Sequence, residues 1–93
     1  MTLRLLALGE PIPRPGEGKR VGLLSFKPHS HIAGYAVTEV LSQDGNLAEA
    51  AVNLFAALRR LDTAGLDHVI VEPVPEHGLG RAIMDRLRRA ATR

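Results

Sequence analysis

The sequence has no cysteine and no tryptophan, only two Phe and one Tyr, and no apolar run of membrane-spanning length. Without cysteine there is no disulfide framework, no thiolate metal site and no Cys nucleophile, which accords with a reducing compartment. So few aromatics leave little material for a platform on which single-stranded nucleic acid stacks its bases. A spanning helix needs roughly 18 or more apolar residues in succession. The opening Met1 to Leu8 is also too short for a signal-peptide core and runs straight into Gly9-Glu10-Pro11. These absences predict a soluble, cytoplasmic chain with no membrane partner.

What is present suffices for one domain. Ninety-three residues fit a single globular unit and not two, and a hydrophobic content of 45% argues against disorder. The net charge of +2 is unevenly spread. Residues 80–93 carry Arg81, Arg86, Arg88, Arg89 and Arg93 against Asp85 alone, so the remainder of the chain is net acidic. Arginine outnumbers lysine ten to two, which the coding bias of a GC-rich genome accounts for without any partner.

Hydrophobic periodicity places strands near 2–8, 21–26, 35–41 and 68–72 and helices near 47–62 and 79–91. Val21 to Phe26 is a nearly continuous apolar run, as expected of a strand covered on both faces. The three Pro and three Gly of residues 9–19 forbid a regular helix between the first two strands. Asn46 followed by Glu49 predicts a capped helix start, and Gly65 a helix stop. In the first helix Leu47, Ala50, Ala51, Leu54, Phe55, Leu58 and Leu61 recur at helical spacing, which predicts Phe55 in the core. In the second the stripe is Leu79, Ile83, Leu87 and Ala90 or Ala91. Strands joined through a helix and followed by another imply an α/β fold: a small Rossmann-like sandwich with a mostly parallel sheet of about four strands and two principal helices. With no helix in its first half, one face of that sheet is expected to be thinly covered.

The stretch most suggestive of chemistry joins the last strand to the last helix, Glu72-Pro73-Val74-Pro75-Glu76-His77-Gly78-Leu79-Gly80. Ligands gather at the carboxyl ends of parallel strands, and a glycine-rich helix start can hold an anion. The third glycine of a dinucleotide fingerprint is missing, however, and Glu72 and Glu76 would repel phosphate. Glu72, Glu76, Gly78, Gly80, Arg81 and Arg86 are therefore the candidate docking or ligand residues, with a structural turn favoured over an anion site. Arg81 and Arg86 lie off the apolar stripe, free to pair with those carboxylates or with a partner. Glu72 and Glu76 with His77 could form an acid–base group, but no nucleophile or oxyanion site accompanies them. His29 and His31, with His68 or His77 more distant, make a weak metal signal without a nearby carboxylate or Cys. Asp85 is spaced to pair with Arg81, Arg88 or Arg89, leaving a solvated basic face or, as the sharper alternative, an RNA contact. No catalytic, cofactor-binding or metal residue is assigned.

Residues 47–91 carry a more specific pattern. Asn53-Leu54-Phe55-Ala56-Ala57-Leu58-Arg59, Leu61-Asp62, Ala64-Gly65-Leu66-Asp67, Val71-Glu72-Pro73 and Glu76-His77-Gly78-Leu79-Gly80-Arg81-Ala82-Ile83-Met84-Asp85-Arg86-Leu87 together resemble the C-terminal domain of the long-form threonylcarbamoyl-AMP synthase. Val21-Gly22-Leu23-Leu24-Ser25-Phe26 stands where that domain has its second strand. Val52, His77 and the loop at 9–19 depart from the family pattern, where an Arg, a second Glu and often a helix are usual. The resemblance implies a parent enzyme that makes threonylcarbamoyl-AMP from threonine, bicarbonate and ATP with Mg, for threonylcarbamoyladenosine modification of tRNA. In such enzymes the chemistry belongs to an N-terminal YrdC-like domain, absent here together with its tyrosine-containing linker. Met1 falls about where that linker would end, which suggests an excised domain or truncated product, or else a separately encoded domain.

The implied role is thus a non-catalytic accessory domain with no cofactor of its own. Its partner is a YrdC-like catalytic domain in cis or trans, and tRNA contact and homo-oligomerisation are left open. The alternatives are an independent small-ligand module using the 72–80 turn and an RNA-contacting domain using the arginine helix. An upstream frame encoding the catalytic domain in the same polypeptide would decide among them.

Overall fold

A computed structural model describes residues 2–30 and 32–92. Its elements are β1 (Thr2–Leu5), β2 (Val21–Ser25), β3 (Val37–Val40), α1 (Leu47–Asp62), β4 (His68–Val71) and α2 (Leu79–Ala91). The four strands form one sheet in the order β1-β4-β2-β3, and every pairing is parallel. Leu6 still donates its N–H to the Val71 carbonyl, but the chain then turns through Gly9 at φ +85°. The Glu10 carboxylate closes that turn by accepting from the Ala7 N–H and from Arg4, so β1 is shorter than its apolar run suggests. β3 begins two residues after Tyr35, whose ring packs on the opposite face of the sheet and whose hydroxyl donates to the Pro13 carbonyl.

Strand alternation sorts the apolar side chains into two layers. Leu24, Val69 and Val71, with the partly buried Leu3, Leu5 and Val37, meet both helices through Leu54, Leu61, Ile83 and Leu87. Leu6, Val21, Leu23 and Ile70 face the other way, where Ile12, Ile32 and Tyr35 from the connecting loops pack against them. Both helices therefore share one face of the sheet, while the Pro/Gly-rich segment covers the other. Gly22 lets the helical layer close in, because a Cβ there would stand 2.6 Å from Leu66 Cδ1 and 3.1 Å from Leu61 Cδ2.

Local chemistry fixes the ends of α1. Asn46 Oδ1 accepts from the Glu49 N–H at 3.0 Å, satisfying one of the donors that a helix start leaves free. Arg59 and Arg60 lie in the last turn of the helix, with Thr63 as its cap, and Gly65 follows at φ +70°. Its buried face is Ala50, Leu54, Ala57 and Leu61. Phe55 lies one residue, hence about 100°, beyond Leu54; it is 56% exposed and does not belong to the core. The stripe on α2 is likewise displaced: Gly80, Ile83, Met84 and Leu87 are buried, whereas Leu79 is half exposed.

Two long-range polar ties brace this arrangement. The Arg60 guanidinium grips both oxygens of Glu39 at 2.8–3.0 Å, joining α1 to β3. Asp67 Oδ2 accepts from the Arg20 N–H at 2.7 Å, and the Arg20 side chain donates to the Ala64 and Gly65 carbonyls. The second tie locks the start of β2 to the turn that leads into β4.

Candidate functional site

The carboxyl ends of β2 and β4 lie side by side, β2 continuing into a loop and β4 into the turn before α2. In open parallel sheets this is where ligands bind. Here the chain's own Glu72 occupies the position. Its Oε1 accepts from the Phe26 N–H at 2.8 Å and from Ser25 Oγ at 3.2 Å, with the Lys27 N–H at 3.5 Å. Oε2 lies 2.8 Å from His29 Nε2. The backbone donors that could have received an anion are thus engaged by a carboxylate inside the fold.

Beyond Glu72 the turn is built for close packing. Val74 is buried, and its N–H reaches the Met84 sulfur at 3.4 Å. Glu76 pairs with Arg88, whereas the sequence offered Arg81 or Arg86 to this carboxylate and Arg88 to Asp85. The Arg88 hydrogen bond holds the Glu76 carboxyl below its ordinary pKa, and the charges of Arg88 and Arg81 act in the same direction. Gly78, at φ 54° and ψ −129°, starts α2 in a backbone conformation that side chains disfavour, without any side-chain cap. Gly80 is buried against the preceding segment: a Cβ there would fall 1.7 Å from the Pro75 carbonyl oxygen. The first amides of α2 bond within the turn, Gly80 N–H to the His77 carbonyl at 2.9 Å and Arg81 N–H to the Gly78 carbonyl at 3.2 Å.

The six candidate residues do not converge on one point. Glu72 faces the end of β2, Glu76 faces α2, Arg81 is exposed, and the Arg86 guanidinium lies 5.4 Å from the centre of the Phe55 ring. His29 meets Glu72, His77 is exposed, and His31 lies outside the described residues. No group of three or more His, Cys, Asp or Glu able to hold a metal occurs among the described residues. Asp85 forms no ion pair among them either. No described helix is long and apolar enough to cross a membrane.

A second concavity was not anticipated. Where α1 and α2 run side by side toward the amino end of β1, Phe55, Leu58, Arg59, Arg86, Ala90 and Leu3 line a groove of about 430 Å³, with Asp62 at its wall. The sequence signal for it was Phe55, an apolar residue one position beyond the buried stripe of α1.

The parallel sheet with both helices on one face, and a strand-to-helix turn closed by its own carboxylates and glycines, defines a small α/β domain of Rossmann-like build. The profile of the threonylcarbamoyl-AMP synthase C-terminal domain matches residues 11–92, and the chain belongs to that family. It is 41% identical over 75 residues to the threonylcarbamoyl-AMP synthase of Pyrococcus abyssi and 34% identical over 74 residues to that of Bacillus subtilis. These matches take in 81% and 80% of this chain but only 20% and 21% of the relatives, so the chain spans about a fifth of their length. Over a shorter stretch of 52 residues it is 50% identical to the Schizosaccharomyces pombe enzyme, covering 56% of this chain and 12% of that one. Among solved structures, P. abyssi Sua5 complexed with L-threonine superposes with a TM-score of 0.68 at 40% identity, over 81% of this chain and 20% of that one. A double-alanine variant of the same protein gives 0.67 at 39%, over 81% and 21%.

Proposed function

We propose that this chain acts as a non-catalytic accessory domain of an L-threonylcarbamoyladenylate synthase, in the pathway that places threonylcarbamoyladenosine in tRNA. Its partner is the YrdC-like catalytic domain of that enzyme, in cis or in trans, where ATP and Mg would be used. The observation that carries this reading is the state of the turn at the sheet's carboxyl edge. Glu72 takes the donors at the end of β2, Gly80 abuts the Pro75 carbonyl, and the Gly80 and Arg81 amides of α2 are bonded internally. An anion entering there would meet Glu72 and Glu76 where it needs positive potential. This geometry supports a packing and docking element over a small-ligand site.

The test is direct. The isolated chain should release no pyrophosphate from ATP in a manner dependent on both threonine and bicarbonate. Titration with ATP, AMP or pyrophosphate should give no saturable signal below millimolar concentration. Micromolar binding of any of the three would move the ligand-module reading ahead of this one.

A further inference from the structure

We propose that the carboxyl end of β2 is a carboxylate receptor whose resident ligand is the chain's own Glu72, and that it takes an external carboxylate by exchange with that side chain. The donors suit a planar anion with two oxygens. Oε1 of Glu72 accepts from the Phe26 N–H at 2.8 Å, and Oε2 lies 2.8 Å from His29 Nε2. An ionised carboxylate only accepts, so Nε2 carries the proton in this contact. The Ser25 hydroxyl stands 3.2 Å from Oε1 but also reaches the Lys27 carbonyl, and the Lys27 N–H is marginal at 3.5 Å. Phe26 and His29 are therefore the principal donors, one to each oxygen, and hydrogen bonds to an ionised acceptor are the strong ones.

The receptor is held in shape by contacts that do not involve the Glu72 carboxylate. The Ser25 carbonyl accepts from the Leu41 N–H at 2.8 Å and the Phe26 carbonyl from the Ser42 N–H at 3.0 Å, so the end of β2 is fixed from the β3 side. The Ser25 and Phe26 side chains are buried. On the other flank the Glu72 N–H donates to the Leu24 carbonyl at 2.8 Å, which continues the β4–β2 ladder through the backbone alone, and Val74 is buried two residues on. Removing the carboxylate therefore vacates the two donors and leaves in place the strands that present them. In the wild-type chain Glu72 competes with an incoming anion at the high effective concentration of a tethered group. Exchange has a structural result as well: it releases the 72–80 turn from Phe26 and His29, to which the carboxylate ties it. The receptor belongs to this chain's own sheet edge and stands apart from the accessory-domain reading.

The test titrates sodium formate into the wild-type chain and into Glu72→Ala at constant ionic strength, following the backbone amide shifts by NMR. In Glu72→Ala the Phe26 amide should leave its wild-type position and return towards it as formate is added. Half-saturation is expected at roughly 1–100 mM, the range of one or two charge-assisted hydrogen bonds. The wild type should need at least about tenfold more formate, because its own carboxylate must be displaced. Formamide, similar in shape and uncharged, should have no effect, and adding His29→Ala to Glu72→Ala should weaken formate binding at least about threefold. Should Glu72→Ala not fold, Glu72→Thr, a β-compatible side chain too short to reach the Phe26 amide, is read in the same way. A Phe26 amide that shows no saturable return, or an equal response in wild type and variant, would overturn the receptor. Inorganic phosphate binding the variant more tightly than formate does would overturn the choice of a carboxylate as its ligand.

Discussion

Replacing Gly80 with alanine adds one carbon where the fold has no room for it. The new Cβ would stand 1.7 Å from the Pro75 carbonyl oxygen and 3.5 Å from Leu47 Cδ2. Carbon and carbonyl oxygen ordinarily approach to about 3.3 Å, so the start of α2 and Pro75 would have to separate by roughly 1.5 Å. That movement is resisted on both sides of Pro75, by the buried Val74 and by the Glu76–Arg88 pair. Overpacking costs about 1–3 kcal/mol, and a backbone obstacle puts this case at the upper end. Alanine returns up to about 1 kcal/mol of helix propensity. The net loss is about 2 kcal/mol, which in a domain of this size lowers Tm by about 8–16 °C. Thermal and urea unfolding followed by circular dichroism should show that loss at an unchanged m-value. Gly16→Ala is the matched control: a Cβ there meets nothing within 4 Å, and its effect should stay within about 0.5 kcal/mol. A Gly80→Ala protein as stable as the parent would refute the close-approach argument.

Three further outcomes are expected. Leu54→Ala should cost about 2–5 kcal/mol, as for a buried leucine, whereas Phe55→Ala should cost only about 1 kcal/mol, mainly its contact with Arg86; equal losses in denaturant titrations would contradict the register of α1. Glu72→Ala leaves the Phe26 amide without its acceptor and should destabilise by about 1.5–3 kcal/mol, with NMR shift changes concentrated at residues 25–29; a neutral result would mean that the loop is held by other contacts. The folded-state pKa of Glu76 is depressed, so its small contribution to stability is present above the ordinary glutamate pKa and is lost as pH falls through the depressed one. A carboxyl NMR titration should place its midpoint below that ordinary value, and Arg88→Ala should raise it.

The fold was legible because its determinants are local and periodic. The β-branched run at 68–71, the nearly continuous apolar segment at 21–26 and the Asn46 cap each act over a few residues. Phe55 was misplaced because a helix with a broad apolar arc has more hydrophobic positions than one sheet face can cover. The arc's edge is set by α2, which lies far away in sequence. The partners of Glu72, Arg20 and Arg60 were hidden for a related reason: each ion pair or carboxylate bridge spans 21 to 47 residues, and nothing in local spacing encodes it. The glycine turn was visible as a motif, but its chemistry depended on where the Pro75 carbonyl would fall.

The placement of β1 at one edge of the sheet, paired only with β4, sets an order of assembly. Thr2–Leu5 is made before the other elements of this domain, yet its register is defined by His68–Val71, so it has no strand to add to until residues 68–71 have been made. Its closure is the longest loop in the sheet and carries the largest entropy cost among the strand pairings. The remaining strands, β2, β3 and β4, can pair with one another without it. A nascent chain is therefore expected to pass through a three-stranded form with one side of β4 unpaired, the first strand returning last.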